Sequence, residues 1–265
     1  MKKFLVFALV ALVALVSCNK ENKGNEDEKA FKQTARMKTL STTDAYGTED
    51  WTYTYDAQGR VSKVVARWEG KVYGTYNFNY SGNTCEVICH VDAEGDKPAT
   101  DTPAFDIDLN ADGLATKIKD YEKNKTVELT YADGFIASAK VDGKDATQQS
   151  VTNECVDYWT RLNKDTGEWR HKEHTYTDKE NVGAVHTEWA EDAGLKRWLY
   201  ESGIVGRASR YCCATAQWAD KTALAEYAYE YDAATGAITK ETKSYGEPGA
   251  LEFDCEFIFT WEAIK

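Results

Sequence analysis

What this 265-residue sequence lacks narrows its chemistry before any motif is read. It has no Gly-x-Ser-x-Gly elbow, no phosphate-cradling glycine loop and no Gly-x-Gly-x-x-Gly fingerprint, so the common nucleophilic, nucleotide-hydrolysing and dinucleotide-dependent enzymes have no foothold. Positive charge is short as well: 32 Lys and Arg stand against 44 Asp and Glu, for a net charge of −12, which opposes binding to nucleic acid. Helical periodicity is scarce, and no Pro-rich or low-complexity break interrupts Phe31 to Lys265, a stretch whose length fits one large all-β domain. Carboxylates are plentiful, with Asp106, Asp108, Glu226 and Glu230 on polar strand faces. Any acidic β protein offers such pairs, so their abundance does not itself indicate an acid–base hydrolase.

What is present is a repeated sentence. Trp51-Thr-Tyr53-Thr-Tyr55-Asp56-Ala-Gln-Gly59-Arg-Val61 returns as Tyr227-Ala-Tyr229-Glu-Tyr231-Asp232-Ala-Ala-Thr-Gly236-Ala-Ile238. The rings fall two residues apart, on one face of a strand, and Asp56 and Gly59 suit the first and fourth positions of a type I turn. The second copy has one more residue before Gly236. Between the copies the alternation continues through Tyr76, Phe78 and Tyr80, then Cys85, Val87 and Cys89, then Phe105, Ile107 and Leu109. It ends in a long stripe, Leu251, Phe253, Cys255, Phe257, Phe259 and Trp261. This pattern predicts an antiparallel meander of about 14 to 16 strands, curled into a barrel or an open half-barrel. Glu168 to Thr177 is polar on both faces and is expected as an edge strand or beside a wet surface.

The start of the chain carries an address. Lys2 and Lys3 precede an apolar run from Phe4 to Val16, too short for a membrane anchor, which reads as a signal peptide over residues 1–17. Its ending, Leu15-Val16-Ser17-Cys18, resembles a bacterial lipobox, and that resemblance implies lipidation of Cys18. Residues 18–30 are then the lipidated Cys and an acidic tether in which Asn19 to Lys29 has no apolar residue to bury, and 31–265 is the all-β domain. Lys20-Glu21 and Glu26-Asp27-Glu28 loosely resemble the export signals of Bacteroidetes-type surface lipoproteins. Display at the surface of the outer membrane, or a periplasm-facing anchor, follows from that resemblance.

The turn sentence also resembles the YD repeats of bacterial surface proteins, on Tyr53, Tyr55, Asp56, Gly59 and Arg60 and again on Tyr229, Tyr231, Asp232 and Gly236. With the lipobox and the length, the chain looks like an uncharacterised Bacteroidetes-type lipoprotein family described as having a porin-like fold. That resemblance implies no activity and no catalytic residues. A transmembrane barrel would need an outward apolar band, which Glu168 to Thr177 and Ile238 to Tyr245 lack.

Four smaller constellations complete the reading. Asp108, Asn110 and Asp112, followed by Gly113, resemble a calcium loop, but Lys119 stands where a bidentate Glu is expected, and an Asn-x-Asp-Gly turn explains the same letters. His171 and His174 point to opposite faces of a strand, and Cys85 and Cys89 are about 13 Å apart along one, so neither pair is expected to hold a metal. Six cysteines besides Cys18 lie on apolar stripes, where at most one disulfide is expected. Trp159, Trp169, Trp189 and Trp198 fall beside polar stripes and are the candidate ligand-stacking rings.

The reading is therefore a lipid-anchored, non-enzymatic envelope protein without a cofactor, whose partners are the membrane and an extracellular ligand such as a glycan. The alternative is a scaffolding lipoprotein that docks an envelope protein by sheet edges or a flat face. An acid–base hydrolase comes third.

Overall fold

The computed structural model describes Gln33 and residues 35–163, 166–186 and 195–264. Sixteen antiparallel strands follow one another around a closed barrel. They are β1 (Ala35–Asp44), β2 (Gly47–Tyr55), β3 (Val61–Trp68), β4 (Lys71–Ser81), β5 (Thr84–Val91), β6 (Thr100–Leu109), β7 (Ala115–Asp120) and β8 (Lys125–Ala132). The second half comprises β9 (Phe135–Val141), β10 (Lys144–Thr152), β11 (Cys155–Leu162), β12 (Trp169–Glu180), β13 (Tyr211–Trp218), β14 (Leu224–Tyr231), β15 (Ile238–Glu247) and β16 (Ala250–Ala263). Closure comes from β1 pairing with β16, as in Leu40 opposite Phe259 and Ala35 opposite Ala263. A closed barrel leaves no unpaired strand edge. Glu168 to Thr177 is therefore not an edge: β12 is hydrogen-bonded to both β11 and β13.

The alternation read from the sequence sorts side chains between lumen and solvent. Trp51, Tyr53, Val64, Ala66, Tyr76, Phe78, Val87, Phe105, Ile107 and Leu129 face inward and are buried. The outer wall carries Thr52, Thr54, Lys63, Asn77, Glu86, Asp106, Lys117, Lys119, Glu128 and Lys140 in the alternate positions. Cross-strand partners on that wall are polar or oppositely charged, such as Asp106 opposite Lys119 and Glu128 opposite Lys140. No continuous outward apolar band encircles the described strands, whereas a lipid-facing barrel presents one about 25 Å tall.

Bulges change the phase of the pattern. In the last stripe Lys243 faces Cys255 but Ser244 faces Phe253, so one extra residue turns Phe253 outward, where it is 58% exposed.

The described residues between β12 and β13, 181–186 and 195–210, fill the lumen. They include the short helix α1 (Arg197–Glu201), every residue of which is buried. Trp198 packs against Tyr76, Phe105 and Phe78 at centroid distances of 4.7, 5.8 and 6.1 Å. Arg197 donates to Glu201 at 3.0 Å, lies 3.8 Å from Glu241 on β15, and stacks over the Phe257 ring on β16. Backbone bonds tie the same segment to the wall, from Ala115 N–H to Ile204 C=O and from Arg207 N–H to Gly134 C=O. Plug and barrel are therefore one packed body.

Two substitutions test this account. Gly59 sits at φ +82° with only Arg36 Nη1 nearby, so Gly59→Val is expected to cost about 1–3 kcal/mol through backbone conformation alone, read by chemical denaturation. Arg197→Ala removes the guanidinium from the buried Glu241 and Glu201 carboxylates and is expected to cost about 3–5 kcal/mol in the same assay.

Candidate functional site

The two ends of the barrel differ in chemistry. The near mouth, where Gln33 and Ile264 lie, is built by the turns after β2, β4, β6, β8, β10 and β14 and by the root of the plug. Three of its turns share one design. Asp56 Oδ1 accepts the N–H groups of Gln58 and Arg60, Asn110 Oδ1 those of Asp112 and Leu114, and Asp232 Oδ1 those of Ala234 and Thr235. Each turn is closed by a glycine N–H donating back to the first residue's carbonyl, at 3.0, 3.0 and 2.9 Å for Gly59, Gly113 and Gly236. This is how the repeated sentence works: a short polar side chain replaces missing backbone partners, and glycine supplies the positive φ. The same geometry places the calcium candidates. Asn110 spends its oxygen on the turn, Asp108 stands on the outer wall opposite Lys117, and Asp112 lines the mouth.

A cavity of about 750 Å³ opens at this mouth. Arg36 stacks over Tyr55 at 4.1 Å and donates from Nε to Glu262, while Arg60 stacks over Tyr80 at 4.0 Å and pairs with Asp56. Arg207 gives its two terminal nitrogens to Asp133 C=O and Glu154. At the cavity floor His186 is buried against the Tyr200 ring, and its backbone N–H meets the Glu201 carboxylate at 3.3 Å. Burial, with the Arg197 cation second, pushes the His186 imidazole down to about 3, so it is neutral.

The far mouth is aromatic. Tyr46, Trp68, Val72, Tyr73, Val91, Tyr121, Trp169, Tyr245 and Phe253 all lie in or beside its turns, and they are nine of the eleven large apolar side chains exposed among the described residues. The other two, Ile258 and Ile264, lie on the wall and at the near mouth. Among the described residues, exposed large apolar side chains are therefore gathered at the end away from Gln33 and Ile264. The Trp68 ring lies on Gly47, a residue that has φ +145° and no room for a side chain there. Tyr73 hydroxyl donates to Glu49, and Glu69 accepts the Thr48 N–H at 2.6 Å. Partial burial raises the Glu49 carboxyl above its ordinary range, with the Tyr73 bond opposing it.

The four tryptophans read from the sequence part company here. Trp169 is exposed at the far mouth, and Trp189 lies outside the described residues, as does Cys18. Trp159 and Trp198 are each 1% exposed and have no face open to a ligand. Trp198 is the plug's core, and Trp159 meets the Trp218 ring edge-on at 5.6 Å with Lys172 over both rings. The exposed rings that reasoning missed, Tyr46, Trp68 and Tyr73, sit beside hairpin turns, and position next to a turn was the available signal. His171 stacks on Tyr158 outside the barrel, while His174 points inward and lines a small crevice with Tyr176. Cys85, Cys89, Cys212 and Cys255 are thiols, and burial pushes Cys85 and Cys255 up to about 12 and Cys212 up to about 11. Closure of the barrel also removes the sheet edges by which a scaffold would dock.

The fold is that of the porin-like class: a sixteen-stranded, fully closed antiparallel barrel with a filled lumen. It is similar to the crystal structure of a porin-like protein from Bacteroides uniformis ATCC 8492, with a TM-score of 0.64 and 14% identity over 86% of this chain and 99% of that one. A porin-like protein from Bacteroides vulgatus ATCC 8482 matches with a TM-score of 0.51 and 7% identity, again over 86% and 99%. No family model and no curated protein matches the chain.

The depressed His186 value carries a pH consequence. Its folded form binds fewer protons than the unfolded chain below the ordinary value of 6.5, so the stability it contributes is present above 6.5 and is lost as pH falls toward about 3. Between pH 6.5 and 5 the native state is expected to lose about 1 kcal/mol per unit from this group, and His186→Gln is expected to flatten that slope in pH-dependent unfolding.

Proposed function

We propose that the protein is a lipid-anchored, non-enzymatic barrel of the bacterial outer membrane that binds an extracellular glycan at its aromatic far mouth. The carrying observation is the concentration of Tyr46, Trp68, Tyr73, Trp169 and Phe253 at the end opposite Gln33 and Ile264. Flat rings stack on the apolar faces of pyranoses, and neighbouring carboxylates such as Glu69 accept hydroxyl hydrogen bonds. A chain held through Cys18 is tied at its near mouth, so the aromatic end is the one presented outward. The polar outer wall supports a barrel that stands in water and needs a lipid to stay at the membrane. The YD-like turns and the lipobox, together with the likeness to porin-like proteins of Bacteroides, favour a Bacteroidetes-type envelope lipoprotein.

The test is a thermal-shift panel on the chain from Asn19, which keeps the whole barrel, run with soluble neutral polysaccharides. One class is expected to raise the melting temperature, with about 1 kcal/mol of linkage appearing as roughly 2–4 °C. Tyr46→Ala and Trp68→Ala are each expected to weaken binding by about 1–2 kcal/mol without lowering basal stability by as much. A flat panel, or full binding by the double variant, would turn the reading toward a scaffold that docks an envelope protein by one face.

A further inference from the structure

The near-mouth cavity is a separate site with different chemistry. The protein as a whole is strongly acidic, at −12, yet the charged side chains lining this basin are Arg36, Arg60 and Arg207 against Asp112 and Glu201. Glu201 is already committed to Arg197 and to the His186 N–H. Each of the three arginines meets a carboxylate on one side, Glu262, Asp56 and Glu154, so what the basin offers a ligand is the remaining guanidinium donors at its wall.

The geometry of two of these arginines goes beyond charge. Arg36 and Arg60 both rest flat on tyrosine rings, at 4.1 and 4.0 Å, which fixes their planes and removes much of the entropy cost of holding a ligand. Arg36 reaches the turn that carries Arg60, since a methyl group on Gly59, the residue before Arg60, would lie 3.6 Å from Arg36 Nη1, and both line the same cavity. Each is only partly used. Arg36 commits Nε to Glu262, and Arg60 commits Nε and Nη2 to Asp56, so among the described residues Arg36 Nη1 and Nη2 and Arg60 Nη1 keep donors without a protein partner. Glu262 and Asp56 act as the orienting groups, holding each fork by one side. Planar guanidinium donors of this kind match the paired oxygens of a carboxylate or a phosphate.

We propose that the near mouth binds an oxyanion, a phosphate or carboxylate group carried by a sugar-sized ligand, on the guanidinium forks of Arg36 and Arg60 that line its cavity. The cavity, about 750 Å³, holds more than the anion alone, within the range of about 300–1,000 Å³ usual for small-molecule sites. Polar residues Gln58 and Asn83 line the same cavity and can meet the remainder of the ligand. Because Gln33 and Ile264 lie at this same mouth, the oxyanion has two sources: an acidic saccharide in solution, or a phosphate-bearing headgroup of the membrane that a lipid on Cys18 would bring close.

The experiment is calorimetric titration of the chain from Asn19 with inorganic phosphate and with D-glucuronate, with D-glucose as the neutral control. Heat is expected with at least one of the anions and not with glucose, weakening steeply as salt is raised. Arg36→Gln combined with Arg60→Gln is expected to weaken that binding at least tenfold. Arg36→Lys combined with Arg60→Lys keeps the charge but not the planar fork, and is expected to fall between. Arg170→Gln, at the far mouth, is expected to leave it unchanged. The melting temperature of each variant is measured alongside, so that a loss of fold is not read as a loss of site. Flotation of the same chain with phosphatidylglycerol and phosphatidylcholine vesicles separates the sources: recruitment by the first alone, abolished in the double Gln variant, assigns the headgroup, and anion binding without recruitment assigns a soluble ligand. No heat with either anion, or full binding by the double Gln variant, overturns the proposal.

Discussion

Everything in this structure depends on filling a wide lumen. A barrel of sixteen strands is broad enough that a single layer of inward side chains does not meet across its axis, and porins of similar strand number leave an aqueous channel there. Here the inward faces carry Trp51, Tyr76, Phe105 and Ile118, which would be costly to leave wet, and residues 195–205 between β12 and β13 supply the missing partners. Val185, Leu199, Tyr200 and Val205 are each at most 1% exposed as a result. Once the plug brings Arg197 and Glu201 into that space, the wall must answer with Glu241, and the buried charges lock the segment to β15. The chemistry is inverted relative to a membrane channel: apolar within, polar without.

The barrel itself was legible because strand alternation has a period of two, and a face that must be buried writes its period into the sequence. Tyr53 and Tyr229 could be placed on the inner face from letters alone. The turns were legible for a local reason, since Asp56 and Asn110 satisfy their neighbours' N–H groups within four residues. What was hidden is long-range. Phe253 belongs to the last apolar stripe by spacing, yet a bulge against β15, invisible from β16 alone, rotates it outward. Trp198 sits on a helix too short to show a period, and only the lumen it enters explains it. Arg36 reaches the turn that carries Arg60 through the β1–β2 hairpin, but its partner Glu262 arrives only when the barrel closes.

The division of labour between the mouths has a simple origin. In an up-and-down barrel alternate turns fall at opposite ends, so selection can act on one set of hairpins without disturbing the other. The Arg36–Tyr55 and Arg60–Tyr80 stacks went to one end, and most of the exposed rings to the other.

The join between β1 and β16 also governs how the molecule is made. Met37 and Leu40 emerge early in synthesis but receive one of their two neighbouring strands only when Phe259 and Trp261 arrive, more than two hundred residues later. Until then the growing sheet is an open ribbon with two raw edges, and contacts of such sequence separation form slowly. A chain cut short by a dozen residues would lose the clasp while keeping nearly all of its wall, leaving a sticky ribbon of the kind that cells hand to chaperones and proteases.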